Sequence, residues 1–389
     1  MLRNALLGLV SLALSLLVAD WVLGRLTQDA AYTKAVKQGM AYDTRDRLRV
    51  ILDNRRADAN WFPAVPANTY LETHLKLGSE RILPLGGVAR ARVVGCNEGG
   101  FYSSFTTDEA GFHNPSGTWP LKNDRHIFLV GDSFTQGDCV KEGEGIAERL
   151  RLRHPEVVNL GVGGNGPLLE LAAIREYVPA GKTALVFWLY YEGNDLMDLQ
   201  RDLRDPVLRR YLDAGFSQNL LPRQGQINER VRNYAEGRIR ERSGGQALVF
   251  PNLRGALWRV RHGQGLIVAD KPQKSDKSEA DADQFLKILA SAKQEVEAKG
   301  GQLVFVLLPE YYRFSGEPLS TWAGHSEELK KRVAGLGVSV IDTEPRLRRH
   351  PDPLSLFPFR LKGHYTGEGY ALVAEVMSEF LNSKHGRAE

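Results

Sequence analysis

Between Ile127 and Asp195 an apolar run, a polar loop and a helical stretch follow one another and repeat, and nothing else in the chain narrows its fold as much. Ile127-Phe128-Leu129-Val130 has the composition of a buried strand and stops at Gly131-Asp132-Ser133-Phe134-Thr135-Gln136-Gly137. A helix carrying Ile146, Leu150 and Leu152 is expected next. Val157-Val158-Asn159-Leu160 then enters a glycine-rich loop at 161–166, a helix is predicted over Pro167–Tyr177, and Ala184–Tyr190 reads as a third strand ending at Glu192-Gly193-Asn194-Asp195. Continuous apolar strands alternating with helices are the pattern of parallel βαβ units. The rhythm resumes late in the chain: Phe285, Leu286, Leu289, Ala292 and Val296 share one helical face. Leu303–Leu308 and Val338–Ile341 are further strands, and a final helix with a Tyr370, Val373, Met377, Phe380 stripe follows Thr366 as N-cap.

Three regions flank or interrupt this core. Residues 1–25 hold an apolar run from Ala5 to Leu23 that just reaches the roughly 20 residues a membrane span needs. It is long for a cleaved signal and lacks a clean small-x-small site, so an uncleaved signal anchor is expected, with a cleaved signal peptide as the alternative. Residues 26–122, with scattered Gly and Pro, read as an extension of short strands and turns packing on the core, which itself spans 123–389. Residues 200–280 are arginine-rich and read as a largely helical insertion with a loose polar exit.

Composition excludes some functions. A formal net charge of +4 over 389 residues, with acidic residues mixed among the Arg201–Arg261 arginines, is not the clustered basic face of a nucleic-acid binder. The sequence carries no phosphate-binding GxxxxGK[ST], and the 161–166 glycines lack the dinucleotide fingerprint. No cofactor and no metal are expected: the only two cysteines, Cys96 and Cys139, cannot form a four-cysteine zinc site. In an oxidising compartment they could form one disulfide; otherwise they are two buried thiols.

In open α/β sheets ligands sit beyond the carboxyl ends of the strands. Ser133, the 161–166 loop and Asn194 each follow a strand directly, and His364 sits in the loop before the final helix. A serine hydroxyl needs a base within hydrogen-bond reach and donors where an oxyanion will form. His364 is the natural base. The backbone N–H groups of Ser133 and Gly164 and the Asn194 amide are the candidate donors, with Gly163 and Gly164 allowing close backbone approach. Each residue alone has a structural explanation, as a helix cap, turn glycine or loop histidine; their joint order favours chemistry.

That order resembles the SGNH (GDSL-like) hydrolases. Gly131-Asp132-Ser133 resembles their first block, Asn159 to Gly164 the second, Gly193-Asn194-Asp195 the third and His364 the last. The Phe105–Pro115 stretch looks like the lead-in of membrane-anchored, polysaccharide-associated members. The resemblance implies a flavodoxin-like three-layer α/β/α sandwich and a metal-free acyl-serine mechanism. Asp132 and Asp195 would be supporting residues, and the substrate an ester, an O-acetyl group on a glycan above all. The implied setting is a single-pass inner-membrane protein with its soluble part in the periplasm or outside the cell. An acyltransferase with the same site, or a catalytically weak scaffold binding glycan or protein in envelope assembly, are the alternatives. One position departs from the pattern. The aspartate expected three residues before the histidine is Leu361, followed by Lys362. A Ser133–His364 dyad, a carboxylate from elsewhere (Asp342 and Asp352 are candidates) or a backbone carbonyl would then orient the ring.

Overall fold

A computed structural model describes residues 11–12, 14–20, 22–23, 30–71, 73–122, 125–244, 253, 256–257 and 278–385. Ten strands are described. The extension contributes β1 (Trp61–Pro63), β2 (Leu75–Leu77), β3 (Glu80–Ile82), β4 (Arg92–Val94) and β5 (Ser104–Thr106). The core contributes β6 (His126–Val130), β7 (Val157–Asn159), β8 (Thr183–Tyr191), β9 (Gln302–Leu308) and β10 (Ser339–Asp342).

The five core strands form one parallel sheet in the order β7-β6-β8-β9-β10. Counted from β6, this is the doubly wound 2-1-3-4-5 arrangement, whose strand order reverses between the first and third strands. Side chains alternate along each strand. Phe128, Val130, Val186, Trp188, Tyr190, Phe305 and Leu307 face one layer, with the helices Pro167–Tyr177 and Ser278–Ala298. Ile127, Leu129, Phe187, Leu189, Val304, Val306 and Leu308 face the other, with Tyr370, Val373 and Met377 of the helix Gly367–His385. This is the three-layer α/β/α sandwich. All five residues of the predicted Phe285–Val296 stripe are buried.

The extension is fused to the first of these layers. Its buried residues, among them Phe62, Tyr70, Val93 and Phe105, belong to the same continuous core. β1 pairs in parallel with β4, β4 antiparallel with β5, and β2 with β3 as a hairpin. The Phe105–Pro115 stretch makes the join. Asp108 accepts from the Ala110 and Phe112 N–H groups, the Asn114 amide and the Trp119 indole. Burial pushes its carboxyl up to about 6 even so, against the pull of those four donors. Asn114 in turn donates to the Asn159 carbonyl and accepts the Asn159 N–H, both at 2.8 Å, and so occupies the open edge of β7.

Two expectations are refined. The polar turn at 131–137 contains a one-turn helix, Ser133–Gln136, and the helix expected after it runs over Ile146–Arg151, with Leu152 at its C-cap. Gly137, at φ +83°, closes the first with a left-handed cap that a run of ordinary residues would not adopt. In the 200–280 segment the described part is helical, chiefly Gln224–Gly244, and most of its expected loose exit lies outside the described residues. Much of the expected membrane span, including residues 1–10, also lies outside them; among the described residues no helix is long and apolar enough to cross a membrane.

Candidate active site

The sheet edge where strand order reverses collects the polar loops. Ser133 opens a one-turn helix directly after β6, and Asn194 follows β8. Gly131 must be glycine here: a Cβ would meet the Thr135 side chain and lie 2.8 Å from the Leu189 carbonyl oxygen of the neighbouring strand. Asp132 caps the helix, its Oδ1 accepting the Phe134 N–H at 2.9 Å. Asn159 braces the turn from β7, donating its amide to the Thr135 carbonyl and accepting the Gly161 N–H.

His364 reaches this edge from the far end of the chain. Its Nε2 lies 2.8 Å from Ser133 Oγ, within proton-transfer distance. The ring packs against Phe134, with centroids 4.8 Å apart. Its other nitrogen, Nδ1, lies 2.9 Å from Oε1 of Glu98, and Oε2 of the same carboxylate accepts the His364 backbone N–H at 2.7 Å. A carboxylate from the extension thus stands where a serine triad places its acid. Neither carboxylate considered from the sequence does so. Asp342 pairs with Lys330, and Asp352 with Arg360. The glycine before the histidine has a reason too, since a Cβ at Gly363 would run into Glu98.

Cys96 and Cys139 are joined in a disulfide with Cα atoms 5.1 Å apart. It ties the loop carrying Glu98 to the loop after the Ser133 helix, and Cys139 Sγ lies 3.3 Å from His364 Nδ1. In that state neither sulfur is free to ligate a metal, although both lie beside His364.

Electrostatics follow from this crowding. Burial alone would lower the His364 pKa; the Glu98 hydrogen bond and charge, with the charges of Asp138 and Asp132, outweigh it and raise the value to about 9. Burial works to raise Glu98, but the His364 hydrogen bonds and charge hold it below the usual carboxylate value. Asp132 is pushed up, chiefly by burial. At neutral pH the resting site therefore holds an imidazolium–carboxylate pair.

The candidate oxyanion donors surround the serine. The N–H groups of Ser133 and Gly164 have no protein acceptor among the described residues. Gly164 has φ +71°, and its carbonyl is held by Asn68 Nδ2 at 3.1 Å and Arg201 Nη2 at 2.6 Å, which fixes the peptide's orientation. The Gly163 N–H is already engaged by Gln136 Oε1, leaving Gly164 as the glycine donor. Asn194 Nδ2 donates to Asp132 Oδ2 at 3.3 Å, the same carboxylate oxygen that lies 3.4 Å from Ser133 Oγ. Asp195 lies behind the site: buried, its Oδ2 accepts the Tyr191 N–H at 3.0 Å, so it shapes the end of β8 without reaching Ser133.

No protein-family model matches the chain, and no curated protein does. Solved structures do resemble it. One is a member of the lipolytic protein G-D-S-L family from Veillonella parvula, at 16% identity over 66% of this chain and 97% of that one, with a TM-score of 0.36. Another, described as a lipolytic protein of the G-D-S-L family, comes from Desulfitobacterium hafniense (14% identity, 66% and 99% covered, TM-score 0.34). A third, described as an acylhydrolase, comes from Bacteroides fragilis (13% identity, 71% and 93% covered, TM-score 0.35). At these identities and TM-scores, the chemistry of the site rests on its own geometry.

Proposed function

We propose that this protein is a serine esterase of the SGNH kind, removing short acyl groups, O-acetyl above all, from a glycan outside the cytoplasm. The observation that carries the reading is the continuous relay Ser133–His364–Glu98, with hydrogen-bond distances of 2.8 and 2.9 Å.

In this mechanism neutral His364 takes the Ser133 proton on Nε2 as Oγ attacks the acyl carbon. The carbonyl oxygen becomes an oxyanion facing the Ser133 and Gly164 N–H groups and the Asn194 amide. His364 then hands its proton to the departing alcohol, leaving an acyl-serine. A water molecule, deprotonated by His364 in its turn, releases the acid and restores the serine. Glu98 keeps Nδ1 protonated and stabilises the imidazolium that forms at each step.

Several features support the finer parts. A cavity of about 210 Å³ opens on Ser133 and Gly164 with Val65, Val88, Val93, Phe105 and Val162 among its walls, a size suited to a small acyl group. A wider hollow beside Glu98 is lined by Tyr32, Tyr42 and Tyr102, rings of the kind that stack on sugars. The disulfide suits an oxidising compartment. Leu12, Leu14, Leu17 and Val18, all more than half exposed, suit an anchor in a membrane.

The test is labelling of the folded protein with a fluorophosphonate probe, beside Ser133→Ala and His364→Ala. Labelling of the wild type alone is expected. A folded wild type that fails to label across neutral and alkaline pH would overturn the reading.

A further inference from the structure

Three hollows meet at one side chain. Arg47 lines the cavity that contains Ser133, the tyrosine-lined hollow beside Glu98, and a third cavity of about 210 Å³ between the helices Arg47–Arg55 and Gln224–Gly244. It is exposed, and among the described residues it makes no hydrogen bond and no ion pair, although its charge reaches the buried Asp138 carboxyl. Three other arginines among the described residues are committed instead. Arg55 pairs with Glu236, Arg201 with Asp198 and Asp202, and Arg232 donates to Asn60 and the Ala89 carbonyl.

The third cavity has a one-sided charge. Its ionisable rim consists of Arg47, Arg238 and Arg242, with Tyr234 the only other titratable lining group, and the rest of the wall is Leu48, Ile51, Pro63, Ala64, Val65, Thr69 and Ile239. Arg238 has only an exposed contact to Glu241 at 3.5 Å, and Arg242 has no partner among the described residues. The carboxylates of the neighbouring hollow are already spent on cations: Asp43 on Arg45, and Glu98 on His364. An anion entering beside Ser133 would meet the Arg47 guanidinium, with the buried Asp138 carboxyl on the same wall, and beyond it, in the third cavity, Arg238 and Arg242; guanidinium groups bind carboxylate and phosphate through paired N–H donors.

We propose that Arg47, backed by Arg238 and Arg242, is a specificity determinant that holds an anionic group on the alcohol portion of the substrate. The substrate class is then an ester of an anionic carrier, carboxylate- or phosphate-bearing, rather than of a neutral sugar. This rests on the esterase reading for its catalytic arm but has a binding arm that does not.

The catalytic arm compares three acetyl esters of one acyl group: acetylated methyl glucoside, acetylated methyl glucuronide and acetylated glycerol phosphate. The wild type should prefer one of the two anions. Arg47→Gln should lower kcat/KM for that anion at least about tenfold more than for the neutral ester, because a charge-assisted hydrogen bond is lost only with the anion. Which anion responds identifies the carboxylate or the phosphate. Equal turnover of all three esters, or an equal loss on all three in Arg47→Gln, would overturn the inference while leaving the esterase reading intact. The binding arm titrates methyl glucuronide, inorganic phosphate and methyl glucoside into Ser133→Ala protein by calorimetry, with and without Arg47→Gln and, separately, Arg242→Gln. Anion binding that weakens in both arginine variants is expected, even if no ester is turned over. No anion binding, or binding indifferent to both substitutions, would refute the site.

Discussion

Glu98 grips His364 with both carboxylate oxygens, one on the ring nitrogen Nδ1 at 2.9 Å and one on the backbone N–H at 2.7 Å. The two contacts fix the tautomer and the ring plane together, so substituting Glu98 should disturb catalysis far more than folding. Glu98→Gln should reduce kcat by on the order of 10²–10⁴-fold with little change in KM, measured on a small acetyl ester. A loss under about threefold would make Glu98 a mere neighbour.

The raised His364 pKa makes a pH prediction. The base is competent only when neutral, so kcat/KM should climb as pH rises and level off above about 9, well above the ordinary histidine value. Stability should run the other way. A histidine whose folded pKa lies above its unfolded value, near 6.5, stabilises fully below that value and loses the contribution as pH rises through about 9. Glu98→Gln should move the rate inflection toward lower pH. A wild-type inflection at or below 6.5 would contradict the ion-paired resting state.

The disulfide holds the acid's loop against the nucleophile's loop. Cys96→Ala with Cys139→Ala should lower stability by roughly 4 kcal/mol for a closed loop of this length. Well below the new melting temperature, kcat should still fall at least about tenfold, as Glu98 loses its fixed approach. Parallel thermal melts and initial rates on the wild type with and without reductant would check this; full activity in the reduced, folded protein would show that the loop is held by other contacts.

Asn194 and Ser133 share one acceptor, Asp132 Oδ2. Asn194→Ala should cost about 10²–10³ in kcat while leaving KM within a fewfold, because an oxyanion donor acts on the transition state. An effect confined to KM would assign the amide to ground-state binding instead.

The serine side of the site was legible because its signals are local. A strand, a cap and a tight turn within ten residues place Ser133, and the same logic places Gly164 and Asn194. His364 could be chosen from nine histidines because a glycine precedes it and a helix follows. Glu98 carried no such mark. Asn97-Glu98-Gly99-Gly100 reads as an ordinary polar turn, and its partner lies 266 residues away. The one hint was indirect: Leu361 left His364 without its usual acid, and Gly363 left room for another. The helix expected through Ile146 and Leu150 is present, whereas the single helical turn at Ser133, inside the segment read as a polar turn, carried no apolar periodicity to mark it and is closed by the left-handed Gly137.

The extension and the sandwich hold different parts of one site. Cys96, Glu98 and the walls Val88, Val93 and Phe105 come from before residue 122, whereas Ser133 and His364 come from after it. A recombination event at that seam would transplant a nucleophile without its acid, its clamp or half of its cleft. Inheritance of the proposed activity therefore requires the two segments to travel, and to diverge, as a single unit.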